Sequence, residues 1–87
     1  MAIEEIGLQQ GTQTGVGADA NMGLVRVREG RNGNLSEVVV AVRDSGAEGR
    51  FTLHPGETFP IGDQTWRFDR VVEAGAGRLG AVFARVE

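Results

Sequence analysis

The chain has 87 residues with no cysteine, nine basic and twelve acidic side chains and a net charge of −3. A chain of this size hides only roughly 60% of the surface its unfolded form exposes, so it holds one modest core and no second domain. The absence of cysteine excludes disulfide bridges and thiolate metal ligands and favours a reducing compartment, while the dispersed basic residues offer no patch for a phosphate backbone.

All nine basic residues are arginine, and lysine and tyrosine are absent. Alongside the abundant Gly, Ala and Val this is the residue choice of a GC-rich coding sequence and bears on origin, not on chemistry. Acidic residues in Met1–Ile6 stand where a signal peptide carries basic ones, and no apolar run approaches the roughly 18 residues of a membrane span. The expectation is a cytoplasmic protein without nucleic-acid or membrane partners.

In chain order, an apolar alternation at Ile3–Leu8 is followed by Gln9–Gly23, rich in glycine, amides and threonine and poor in apolar residues. This composition predicts a long loop at about 9–23, either a flexible connection or a binding element. Leu24–Glu29 alternates with period two, predicting a strand with Val25 and Val27 on one face and Arg26 and Arg28 on the other. Asn32-Gly33 suits a hairpin turn, so Leu35–Arg43 should return antiparallel beside it.

A turn over Asp44–Gly49 leads to a short strand, Arg50–Leu53, with Phe51 and Leu53 on one face. Pro55-Gly56 predicts a type II turn, and Pro60 places Glu57–Ile61 at an edge or a bulge. After Gly62-Asp63 comes a strand over Gln64–Glu73 with Trp66, Phe68 and Val72 facing the core. Arg70 shares their parity, so the reading needs either a bulge between Phe68 and Val71 or a snorkelling arginine. A last strand spans Arg78–Glu87. Six or seven short strands and no convincing helix predict an all-β antiparallel meander forming a small sandwich or barrel, one domain over residues 1–87.

Few residues carry chemistry. The lone histidine lies in Leu53-His54-Pro55-Gly56-Glu57-Thr58-Phe59. These seven residues resemble the strand-and-turn segment of a cupin barrel, which implies metal-binding strands, yet a cupin site needs two or three histidines and this chain supplies one. His54, Glu57, Asp63 and Arg67 lie close to consecutive turns at the ends of neighbouring strands and are the candidates for a ligand or acid–base site, which requires that they converge in a cleft. Ser36 and Ser45 lack a nucleophile motif, and Gly15-Val16-Gly17 lacks the third glycine and the helix of a dinucleotide loop. No catalytic residue, metal ligand or cofactor is assigned.

Two strands are apolar on both parities, Val38–Val42 and Leu79–Ala84. An exposed sheet face should alternate apolar with polar, so both faces of these strands want cover. The candidate interface residues are Val38, Val40, Val42, Val82, Ala84 and Val86, with a homo-oligomer as the expected partner arrangement. From Val38 to Val86, with Pro-Gly-Glu-Thr-Phe and Gly-Asp-Gln-Thr-Trp turns, the chain also resembles small uncharacterised β-proteins of GC-rich soil bacteria, which have no assigned activity to carry over. The leading functional expectation is a noncatalytic, self-associating module. The alternatives are a small enzyme or ligand-binding barrel around His54, and an accessory protein that binds a larger protein partner by a strand edge or by the Gly-rich segment.

Overall fold

A computed structural model describes residues 4–17, 19–31, 33–73 and 75–87. Eight strands are present among them: β1 (Glu5–Gln9), β2 (Gln13–Val16), β3 (Ala20–Arg28), β4 (Glu37–Asp44), β5 (Ala47–Leu53), β6 (Thr58–Ile61), β7 (Gln64–Glu73) and β8 (Leu79–Arg85). They form two antiparallel four-stranded sheets, β1-β8-β7-β6 and β2-β3-β4-β5. The fold is the sandwich of the two expected alternatives, and the sheets do not close into a barrel. The two meanders are β2 to β5 and β6 to β8, while β1 returns to pair with β8.

The eighth strand comes from the Gly-rich segment, which corrects the reading of 9–23 as a loop. It holds β2 and the start of β3, paired from Gln13 opposite Gly23 to Val16 opposite Ala20. Main-chain ladder bonds hold this hairpin, and the apolar side chains that turn inward from it are Val16, Met22 and the half-buried Ala20. The low apolar content that suggested a loop reflects a strand pair with few core side chains.

Turn chemistry sets the remaining registers. Ser45 and Gly46 have φ of 51° and 85°, a two-residue primed turn, so β5 begins at Ala47 rather than after Gly49. At Pro55-Gly56 the φ of 91° at glycine gives the expected type II geometry, closed by the Glu57 N–H donating to the His54 carbonyl at 3.0 Å. The β3–β4 connection spans eight residues. Asn32 of the expected Asn-Gly turn lies outside the described residues, and Leu35 and Ser36 precede β4 instead of joining it.

Two bulges decide which side chains face inward. The register of β3 on β4 shifts between Leu24 and Arg26, so Leu24 and Val27 are buried while Val25 is 40% exposed. Simple alternation had put Val25 and Val27 on one face; the extra residue separates them. On β7 the shift falls between Phe68 and Arg70, turning Arg70 outward as one of the two expected alternatives required. It also exchanges Val72 for Val71 as the valine packed against the core.

The core fills the space between the sheets. Trp66, Phe68, Phe83, Met22, Val38 and Val40 are fully buried. Phe83 stands edge-on to Phe59 and tilted against Phe68, both with centroids 5.8 Å apart, and Phe51 of the other sheet meets Phe59 at 5.8 Å. These offset and edge contacts are the arrangements that ring quadrupoles favour. The Trp66 Nε1–H donates to Gln64 Oε1 at 3.0 Å, and among the described residues no buried side-chain nitrogen or oxygen lacks a partner.

Candidate functional site

The His54 neighbourhood is built by a cross-strand pair and a turn. Arg28 ends β3 opposite Glu37, which opens β4, and the His54–Glu57 turn follows β5 beside them. One Glu37 oxygen lies 3.4 Å from the Arg28 guanidinium and the other 3.3 Å from His54 Nε2. His54 Nδ1 is 3.3 Å from Glu57 Oε1, which also accepts the His54 backbone N–H at 2.7 Å. The result is an open chain, Arg28–Glu37–His54–Glu57. An imidazolium donates to both carboxylates, whereas a neutral ring carries one N–H and donates to one of them at a time.

The chain borders a wide hollow of about 1000 Å³ lined by Val27, Arg28, Arg31, Leu35, His54 and Leu79. It is a surface arrangement: Arg28 is 67% exposed, Glu57 54% and His54 40%. Exposed pairs of this kind interact weakly because water screens them, so the cluster is better suited to fixing the turn than to shifting protons.

The other two ligand-site candidates are elsewhere. Glu37 and Asp44 mark opposite ends of β4, and Asp63 belongs to the Asp44 end, in a depression shared with Asp19, Asp44 and Gln64. Arg67 lies on the outer face of the first sheet, in register with Thr58 and Ala84. Consecutive turns of an antiparallel sandwich alternate between its two ends, so nearness along the chain did not bring the four together. Among the described residues, no three His, Cys, Asp or Glu side chains converge so that they could hold a metal.

The candidate interface is also redistributed. Val38, Val40 and Val42 are core residues, exposed by at most 7%, and present nothing to a partner. Ala84 is buried too, in register between Glu5 and Arg67, Val82 is half-buried on that outer face, and Val86 lies beyond β8 with its N–H donating to the Thr65 carbonyl at 2.8 Å. The second apolar parity of β4 consists of Val39 and Ala41, half-buried on the outer face beside Arg26, Arg50 and Thr52. Neighbouring long side chains therefore cover much of what the sequence pattern left bare.

What the sequence reading passed over is that the strand expected at Arg50–Leu53 begins at Ala47 and forms a free sheet edge, β5. The Leu24 N–H donates to the Thr12 carbonyl at 2.9 Å and its carbonyl accepts from Gly11 at 2.7 Å, so the main chain of Leu24 faces away from β4. By the alternation of an antiparallel ladder, Gly23 faces Ala41, Val40 and Val42 face Phe51 and Gly49, and the main-chain groups of Glu48, Arg50 and Thr52 point outward. These three residues are exposed, and no main-chain partner reaches them among the described residues. Their side chains line the outer face with Arg43, whose Nε donates to Glu48 Oε1 at 3.0 Å. The Arg43 hydrogen bond and charge, with a smaller pull from Arg50, hold the Glu48 carboxyl below its usual range. The signal for this strand was present in Ser45-Gly46, a two-residue turn that leaves Ala47–Gly49 free to extend.

No helix among the described residues is long and apolar enough to cross a membrane. No curated protein matches the chain, and no solved structure matches it. A family model does match, described as a family of unknown function (DUF6406), over residues 3–87. With nearly its whole length covered, the chain belongs to that family of unknown function, DUF6406.

Proposed function

We propose that the protein is a noncatalytic assembly module of the cytoplasm that self-associates through its β-sheets. The observation that carries this reading is the seven-residue edge strand β5, on which Glu48, Arg50 and Thr52 expose main-chain donors and acceptors that are unpaired among the described residues. Such an edge is a template for another strand, and native proteins otherwise shorten it, twist it or cover it. The cytoplasmic placement rests on the cysteine-free composition. The dispersal of His54 and Glu57, Asp63, and Arg67 over three separate places removes the geometric support for an acid–base enzyme.

Light scattering coupled to gel filtration tests the reading. The average mass should rise from that of the 9.3 kDa chain towards a multiple of it as concentration increases. A strict monomer up to about 1 mM, where even upper-micromolar dimers are well populated, would remove self-association.

A further inference from the structure

We infer that β5 pairs antiparallel with β5 of a second copy across a two-fold axis at Gly49, joining the β2-β3-β4-β5 sheets of two molecules into one eight-stranded sheet. The inference rests on the assembly reading above and names its surface, register and partner. It begins from the four edge strands. β2 and β6 have four residues each and β1 has five, whereas β5 has seven. Pro60 further disables β6: the Phe68 N–H of β7 donates to the Glu57 carbonyl and the Phe68 carbonyl accepts from Gly56, so by alternation Thr58 and Pro60 face outward, and proline has no N–H to give. β5 contains no proline and no register shift.

Ladder geometry then restricts the register. Outward-facing residues must oppose outward-facing residues, so the two-fold axis passes through a residue and not between two. An axis at Glu48 sets carboxylate against carboxylate, and one at Arg50 sets guanidinium against guanidinium. An axis at Phe51 opposes Arg50 to Thr52 and leaves the charges unmatched. At Gly49, Glu48 of each copy lies opposite Arg50 of the other, two opposite-charge pairs from one symmetric contact. Each such pair is favourable across strands, and the like-charge alternatives are not.

The same register fits the side chains around it. Glu48 already bonds Arg43 on the outer face, so pairing would place it between Arg43 of its own chain and Arg50 of the second copy. On the inner side, Gly49 meets Gly49 and Phe51 faces the small Ala47 of the second copy. Only Ala47–Phe51 of each chain are paired, a joint well below the area of a permanent interface, so the dimer is weak, reversible and weakened by salt.

Two sets of full-chain variants test this, each checked for native Trp66 fluorescence and compared by sedimentation at low salt. Glu48→Arg and Arg50→Glu each create two like-charge pairs and should weaken the dimer by roughly ten-fold or more, while the double exchange should regain most of the loss. Gly49→Cys should oxidise to a covalent dimer and Arg50→Cys should not, because only residue 49 faces its own copy. The site tolerates a side chain, since a Cβ on Gly49 would come no closer than 3.8 Å to the Phe51 ring. The chain has no other cysteine to compete.

A wild-type dimer indifferent to all charge variants would overturn the β5 register and leave the assembly reading standing. Covalent dimer from Arg50→Cys but not from Gly49→Cys would do the same. A wild-type chain that stays monomeric would overturn both.

Discussion

The two flanks of the sandwich are built differently. On the β1/β2 flank the chain steps from one sheet to the other through Gln10–Thr12, and the corner is tied to both layers: Gln10 N–H to the Leu79 carbonyl at 3.0 Å, Gly11 N–H to Leu24 at 2.7 Å. The Gln10 side chain adds a third tie, its Oε1 accepting the Val27 N–H at 2.8 Å just past the β3 bulge. On the β5/β6 flank the layers meet through side chains, Phe51 against Phe59, and no main-chain ladder joins them. The contrast shows where this fold spends its hydrogen bonds. One flank is tied across its two layers by main-chain hydrogen bonds; the other is not, and it carries β5, the longest of the four edge strands.

The most drastic way to break the contrast is to remove the core that both flanks share. Trp66→Ala leaves a large void beneath a fully buried ring and should cost about 3–5 kcal/mol, against about 5–15 kcal/mol for a whole domain. Chemical denaturation should show the variant largely unfolded, and native Trp66 emission should be blue-shifted and poorly quenched by iodide. A variant of near-native stability would place the ring outside the core.

Next in size is the closed flank alone. Gln10→Ala strands the Val27 N–H and should cost about 1–2 kcal/mol, with faster amide exchange confined to the β3 bulge and the corner. An unchanged denaturation midpoint would mean that the third tie is dispensable.

On the open flank the expected effects are smaller. Ser45 has a φ of 51°, which asparagine adopts more readily, so Ser45→Asn should stabilise the β4–β5 hairpin by about 0.5 kcal/mol, read from the thermal midpoint. Glu48 gives a finer test. Its carboxyl titrates below the usual 4.5, and Arg43→Gln should move that midpoint upward in an NMR titration. Because the folded-state value is the lower one, the small stabilisation from this pair is present above the unfolded-state value and is lost as pH falls through the folded one. A midpoint unmoved by Arg43→Gln would assign the depression to another group.

Much of this architecture was legible in the chain. Pro55-Gly56 and Pro60 announced a turn and an edge, and Trp66 and Phe68 announced a core strand, because each depends on a local property of one or two residues. The bulge at Phe68–Arg70 could be anticipated from one misplaced arginine. Its counterpart after Leu24 could not, since Val25-Arg26-Val27-Arg28 alternates as well in the wrong register as in the right one. β2 escaped notice because main-chain pairing, not apolar content, holds it. The valines of β4 pointed to a surface that does not exist, because composition reports that a strand wants cover on both sides and not which side the partner sheet takes. The free edge follows from strand order, a property of the whole fold.

Backbone amide exchange on the wild-type chain tests the central claim most directly. In dilute solution the amides of Glu48, Arg50 and Thr52 should exchange fast while those of Gly49, Phe51 and Leu53 stay protected. Raising the concentration at low salt should slow Glu48 and Arg50 and leave Thr52 fast, since a two-fold axis at Gly49 pairs only Ala47–Phe51. Fast exchange of Glu48 and Arg50 at every concentration would contradict edge pairing by β5, and equal slowing of Thr52 would contradict its register.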